Sequence, residues 1–135
     1  MIKSLSSSVS DDSPEARVII SRKRFLHNIT GKELKKFDEN SSPIEGRLTI
    51  DIECQIKNSL IDKFMKVVTP NKTFNVTLEV PPVKFIYRNY ILTRLVVRNG
   101  NQFMLTFNSS DNARREIYIH RLEYLVDENK IVRCE

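Results

Sequence analysis

Glycine is scarce. Gly31, Gly46 and Gly100 are the only three in 135 residues, and their wide spacing excludes a collagen repeat, a glycine-rich disordered chain and a glycine-rich phosphate loop. Cysteine occurs twice, at Cys54 and Cys134. Two residues make no disulfide framework, so both are expected to be free thiols in a reducing compartment. The two histidines, His27 and His120, form no pair of metal-ligand spacing with each other or with the cysteines, which excludes a structural zinc site. Long apolar runs are missing too. The start, Met1-Ile2-Lys3-Ser4-Leu5, lacks the ~7–15 apolar residues of a secretory signal, and no stretch approaches the ~20 of a membrane-spanning helix.

Catalytic signatures are equally absent: there is no Walker, dinucleotide-binding, nucleophile-elbow or kinase motif. Asp51 and Glu53 share a strand face with Lys57 nearby, but Cys54-Gln55 breaks the acid-x-Lys spacing of metal-dependent nucleases. That face is expected to be simply solvated. The sequence is therefore read as a binding domain, not an enzyme, needing no cofactor and no metal.

What is present is an ordinary globular composition, 40% hydrophobic and 29% charged, with a net charge of +5 and a pI near 9.3. The length suits one domain. Residues 1–15 are Ser-rich with little to bury and are expected to be a disordered tail, leaving residues 16–135 as a single β-rich domain. Five Asn-x-Ser/Thr tripeptides occur, at Asn28, Asn40, Asn71, Asn75 and Asn108. With no secretory signal they are read as coincidence in an Asn- and Ser-rich chain.

Leu48, Ile50, Ile52, Cys54 and Ile56 alternate with polar residues, which predicts a half-buried strand from Gly46 to Lys57. Phe74, Val76, Leu78 and Val80 repeat the pattern until Pro81-Pro82 stops it. Ile91–Arg98 and Gln102–Asn108 flank Asn99-Gly100-Asn101, the strongest hairpin signal in the chain. Val18-Ile19-Ile20 reads as a first strand. Leu60, Phe64 and Val67/Val68 fit either a helix or an extended segment. Thr30-Gly31-Lys32-Glu33 has the form of a capping box, predicting a short helix with Leu34 and Phe37 on its apolar face and an end near Asn40. Ser109-Ser110-Asp111 predicts the start of a second helix over Asn112–Val126, with Tyr118, Leu122, Leu125 and Val126 as its stripe. The rival reading of that stretch is two strands, Glu116–Val126 and Lys130–Cys134.

Taken together these elements predict an α+β fold: a mainly antiparallel sheet or small barrel with a short N-terminal helix and a C-terminal helix. The run from Gln102 to Val126, a strand leading through Asn-Ser-Ser-Asp into an amphipathic helix, resembles the end of a pleckstrin-homology-like domain. That resemblance implies a barrel capped by a helix and, for function, phosphoinositide binding. An oligonucleotide-binding (OB-like) or other all-β barrel is the alternative.

Two surfaces could bind. Arg22, Lys23 and Arg24, followed by Lys32, Lys35 and Lys36, concentrate cations suited to phosphate contacts or nuclear import. Tyr87-Arg88-Asn89-Tyr90, with Arg94 and Arg98 beyond, interleaves aromatics with cations; of these Arg88, Tyr90, Arg94 and Arg98 are candidate contacts to single-stranded nucleic acid. The leading expectation is a protein-interaction subunit docking within a larger, nuclear or nucleoprotein assembly. Its partners would be other protein subunits, and its place intracellular, nuclear rather than cytoplasmic. Direct binding of DNA or RNA is the alternative.

Overall fold

The computed structural model describes residues 16–41, 47–119, 122–125 and 130–133. The Ser-rich tail, Gly46 and Cys134 lie outside the described residues.

Where apolar and polar residues alternate, strands form. They are β1 (Arg17–Arg22), β2 (Phe25–Thr30), β3 (Leu34–Ser41), β4 (Leu48–Gln55), β5 (Thr73–Val80), β6 (Val83–Arg98), β7 (Gln102–Ile119), β8 (Leu122–Leu125) and β9 (Lys130–Arg133). The one α-helix among the described residues, α1 (Ile61–Val67), follows a 3-10 turn at Asn58–Leu60, which settles the ambiguous stretch around Phe64 in favour of helix. The strand order is β2-β1-β5-β6-β7-β4-β3, antiparallel at every step, with β8 paired to β7 and β9 to β8.

This seven-strand path curls into a half-barrel, and the chain itself enforces the curl. β2 and β3 are the two edges, yet only Gly31, Lys32 and Glu33 separate them. The Glu33 amide donates to the Thr30 carbonyl at 3.0 Å, closing a tight turn. Three residues cannot span a flat seven-strand sheet, whose strands lie ~4.8 Å apart. The end of β2 and the start of β3 must therefore lie close, although the two edges do not pair with each other.

The concave face holds the core. Val18, Ile20, Ile29, Phe37, Ile50, Ile52, Cys54, Val76, Leu78, Phe85, Tyr87, Leu92, Phe103, Leu105 and Phe107 are all at most 2% exposed. Burial of each such side chain contributes about 1.5–3 kcal/mol, so this face dominates stability. α1 packs beside β2, beyond the end of β4. Its Phe64 is fully buried with its ring 5.1 Å from Phe103, 5.0 Å from His27 and 6.3 Å from Phe25.

Two expected helices are corrected. Leu34–Ser41 is a strand. A bulge lies between Leu34 and Lys36 against β4; the extra residue turns both Leu34 and Phe37 inward, producing a three-residue apolar spacing that imitates a helix. The C-terminal helix is corrected likewise: β7 runs on to Ile119 and pairs antiparallel with β8. The physical reason is the ladder offered by Val83–Arg88 of β6, which pairs with Arg114–Ile119 and puts Arg115 and Ile117 on one face in period two. The rival two-strand reading was nearer, although the strand begins well before Glu116. With no helix there, the pleckstrin-homology-like resemblance loses the element that carried it.

Candidate functional site

At one end of the half-barrel three pieces converge: the β1–β2 turn, α1 and the outer end of the β6–β7 hairpin. Arg22 pairs with Phe25, so Lys23-Arg24 forms a two-residue turn, and Lys23 takes a left-handed φ of 51°. Arg22 is pinned. Its Nη1 donates to the Thr73 carbonyl at 3.0 Å, and its guanidinium lies 5.7 Å from the centre of the Phe74 ring. Lys23 and Arg24 are exposed. Between this turn and α1 lies a hollow of about 330 Å³, lined by Arg22, Lys23, Arg24, Phe25, Lys63 and Val67. Its lining holds four cations and two apolar residues, and no carboxylate.

On the other side of Phe25 a second hollow of about 240 Å³ is lined by Leu26, His27, Asn28, Leu60, Lys63 and Phe64 among others. His27 is buried at 8% exposure, parallel to Phe25 and edge-on to Phe64, and its Nε2 has no hydrogen-bond partner. Burial first, and the Lys63 ammonium second, hold its pKa below the ordinary histidine value.

The sequence-predicted residues do not assemble into one patch. The six cations from Arg22 to Lys36 are split by β2, six residues or roughly 20 Å of extended chain. Lys32 sits exposed on the β2–β3 link. Lys35 and Lys36 are exposed on β3, where Lys36 is paired with Asp38 at 2.8 Å. The second surface changes more. Tyr90 is 1% exposed and edge-on to Tyr87 at 5.6 Å, so it offers no face to a base and is a core residue. Arg88 donates from Nε to Glu116 Oε2 at 3.0 Å; the same carboxylate lies 3.4 Å from Arg114 and accepts a hydrogen bond from the Tyr118 hydroxyl. Arg88 is thus a structural partner of a carboxylate that is only 5% exposed. Arg94 and Arg98 remain exposed on β6.

A second carboxylate lies within the barrel wall. Glu39, its side chain 5% exposed, pairs with Arg115 at 2.8 Å, beside the buried Tyr87 hydroxyl, which burial and then Glu39 hold well above the ordinary tyrosine pKa. On the opposite face of β4, Asp51 accepts a hydrogen bond from Thr106 at 2.7 Å. Among the described residues no three His, Cys, Asp or Glu side chains are grouped to hold a metal.

Sequence reasoning missed one feature altogether. β5 pairs with β6 only as far as Ile91, after which Leu92 exchanges hydrogen bonds with Asn71 and Lys72. From Thr93 to Arg98, β6 has β7 on one side and no described strand on the other. Thr93, Arg94, Val97 and Arg98 are exposed, Val97 at 42%. The signal was there as length: the run from Val83 to Arg98 is twice that of Thr73–Val80, so its neighbour had to end first.

No family model matches the sequence, and no curated protein does. Among solved structures, the crystal structure of Hcp1 from Salmonella typhimurium is similar over 87% of this chain and 99% of that one, with 8% identity and a TM-score of 0.42.

Proposed function

We propose that this chain is a non-catalytic docking subunit of a larger assembly, receiving an extended segment of a partner protein along the free edge of β6. The observation that carries the reading is the outer side of Thr93–Arg98, which pairs with β7 on one side and with no described strand on the other. An open strand presents a row of unused N–H and C=O groups and templates a further strand. Here the edge is six residues long; Leu95 and Val97 share one face and offer apolar contacts to every second side chain of an incoming strand, while Val96 lies on the other face with Arg94 and Arg98. Arg94 and Arg98 favour a segment bearing carboxylates, and their charge also discourages a second copy of the same edge.

Direct nucleic-acid binding stands second. It keeps the Arg22-Lys23-Arg24 turn, but its stacking element is gone with the burial of Tyr90.

The test is site-specific. A photo-reactive residue at Val97, introduced in the native cell, should give a discrete protein adduct, and the same group at exposed Asp111 of β7 should not. In the purified complex the amides of Thr93–Arg98 should exchange more slowly than in the free chain. Equal adducts from both positions, or a complex that leaves those amides unprotected, would overturn strand addition.

A further inference from the structure

From the basic hollow and its surroundings we infer that the α1 end of the barrel is a contact surface for a membrane carrying anionic lipids. This inference is independent of the β6 edge, since it rests on other residues and another kind of partner.

Two observations meet at this end. The first is charge. Arg22, Lys23, Arg24 and Lys63 surround the hollow with no carboxylate in its lining, and Lys66 is exposed on the same short helix, whose one acid is Asp62. The field of Lys63 reaches His27, where it opposes protonation. The second is exposed apolar surface. Four large hydrophobic side chains are exposed among the described residues: Leu26 at 61%, Leu60 at 37%, Met65 at 38% and Val97 at 42%. Three of them belong to β2, the 3-10 turn and α1: Leu26 and Leu60 stand beside Lys63, and Met65 lies on the other flank of the helix. Leu26 and Leu60 line the second hollow together.

Cations interleaved with exposed leucine and methionine suit a lipid surface. The ammonium and guanidinium groups meet phosphate and carboxylate headgroups, while the apolar side chains enter the acyl boundary. The same chemistry suits nucleic acid less well. Phe25 is 6% exposed and Phe64 is fully buried, so no ring here can stack on a base, and an exposed leucine gains nothing from a sugar–phosphate backbone. A fixed concave rim also differs from an amphipathic helix, because it needs no folding on the surface. Headgroups would enter the hollow between the Lys23 turn and α1, with Leu26 and Leu60 reaching past them and Met65 adding apolar surface on the helix's other flank.

The experiment is co-sedimentation of the purified chain with vesicles of phosphatidylcholine alone or with ~30% phosphatidylserine, at ~0.1 M salt. Binding should require the anionic lipid. The R22S/K23S/R24S variant should lose affinity by about a hundredfold, at about fivefold per cation. The L26S/L60S/M65S variant removes no charge and only exposed side chains, and it too should weaken binding, by at least about tenfold. Circular dichroism melting of both variants checks that they remain folded. Absence of sedimentation with anionic vesicles overturns the inference, and so does equal sedimentation with neutral ones. If the apolar variant binds vesicles unchanged, and a single-stranded oligonucleotide binds as tightly as the vesicles, the surface is a polyanion site and the lipid reading fails.

Discussion

Cys54 and His27 are both buried, and each shows what burial does to a titratable side chain. Cys54 is 1% exposed on the inner face of β4, and its thiol is pushed up to about 12, chiefly by desolvation and then by Glu33. Such a thiol is inert; in the native protein it should resist alkylation that reaches it only after unfolding. Cys54→Asp should cost at least about 3 kcal/mol, because it forces an unpaired carboxylate into the core. Asp51→Ala, one strand position class away on the outer face, loses the Thr106 hydrogen bond and should cost about 1 kcal/mol. Urea unfolding of the two variants checks the face assignment: the reverse order would contradict it. His27 gives a pH prediction. Its folded pKa lies below the ordinary value of 6.5, so on acidification the unfolded chain takes up the proton first. Stability from this group is complete above ~6.5 and declines as pH falls towards the folded pKa. The slope of unfolding free energy against pH between about 7.5 and 5.5 should be shallower in His27→Leu than in the natural chain.

At the level of elements, what was legible in the sequence was whatever kept a regular period. β4, β5 and the β6–β7 hairpin were read with the right faces because Ile50, Ile52, Cys54, Val76, Leu78, Phe103, Leu105 and Phe107 alternate without a break, and Asn99-Gly100 marks the turn with φ of 52° and 83°. What was not legible was irregularity. The bulge at Leu34/Lys36 imitated a helix. A further extra residue at Asn89, held at φ 61°, brings Tyr87 and Tyr90 to the same face, and so a core pair looked like an aromatic–cation surface. For the candidate site, the sequence identified Arg22, Lys23 and Arg24, while Lys63, Leu26 and the β6 edge depend on pairings between distant segments that no local pattern encodes. α1 carries the test at this scale. It has seven residues and one buried side chain, Phe64, too short to be stable by itself. Phe64→Ala should cost about 3–5 kcal/mol in thermal or chemical unfolding and should free the amides of Ile61–Val67 to exchange before those of β4. If the helix stays protected, it is held by something other than that ring.

Seen whole, the molecule is two groups of strands sharing one long ribbon. Val83–Ile91 of β6 pairs with β5, and Gln102–Asn108 of β7 pairs with β4. The ribbon's irregularities fall where it passes from one group to the other: between Arg88 and Tyr90, between Leu92 and Arg94, and, on β7, across Ser110–Ala113. There the Asn89 side chain donates to the Asn112 carbonyl, the Ser110 hydroxyl donates to the Asn89 carbonyl, and the Asn89 amide donates to Asn75 Oδ1. Extra residues bend a strand and increase its twist. The short β2–β3 link demands a curl, and where the β6–β7 ribbon bends to supply it is a matter of how many residues the chain has at these points rather than which ones. Asn89→Gly should be nearly neutral, within about 1 kcal/mol, because glycine accepts the left-handed backbone. Deleting Asn89 removes no core side chain and can leave every apolar group facing inward, yet it should destabilise far more in the same denaturation assay, by flattening the bend. Among sequences descended from a common ancestor with this chain, the width of the half-barrel should therefore change by single-residue insertions and deletions near positions 89, 93 and 110–113, and hardly at all by substitution.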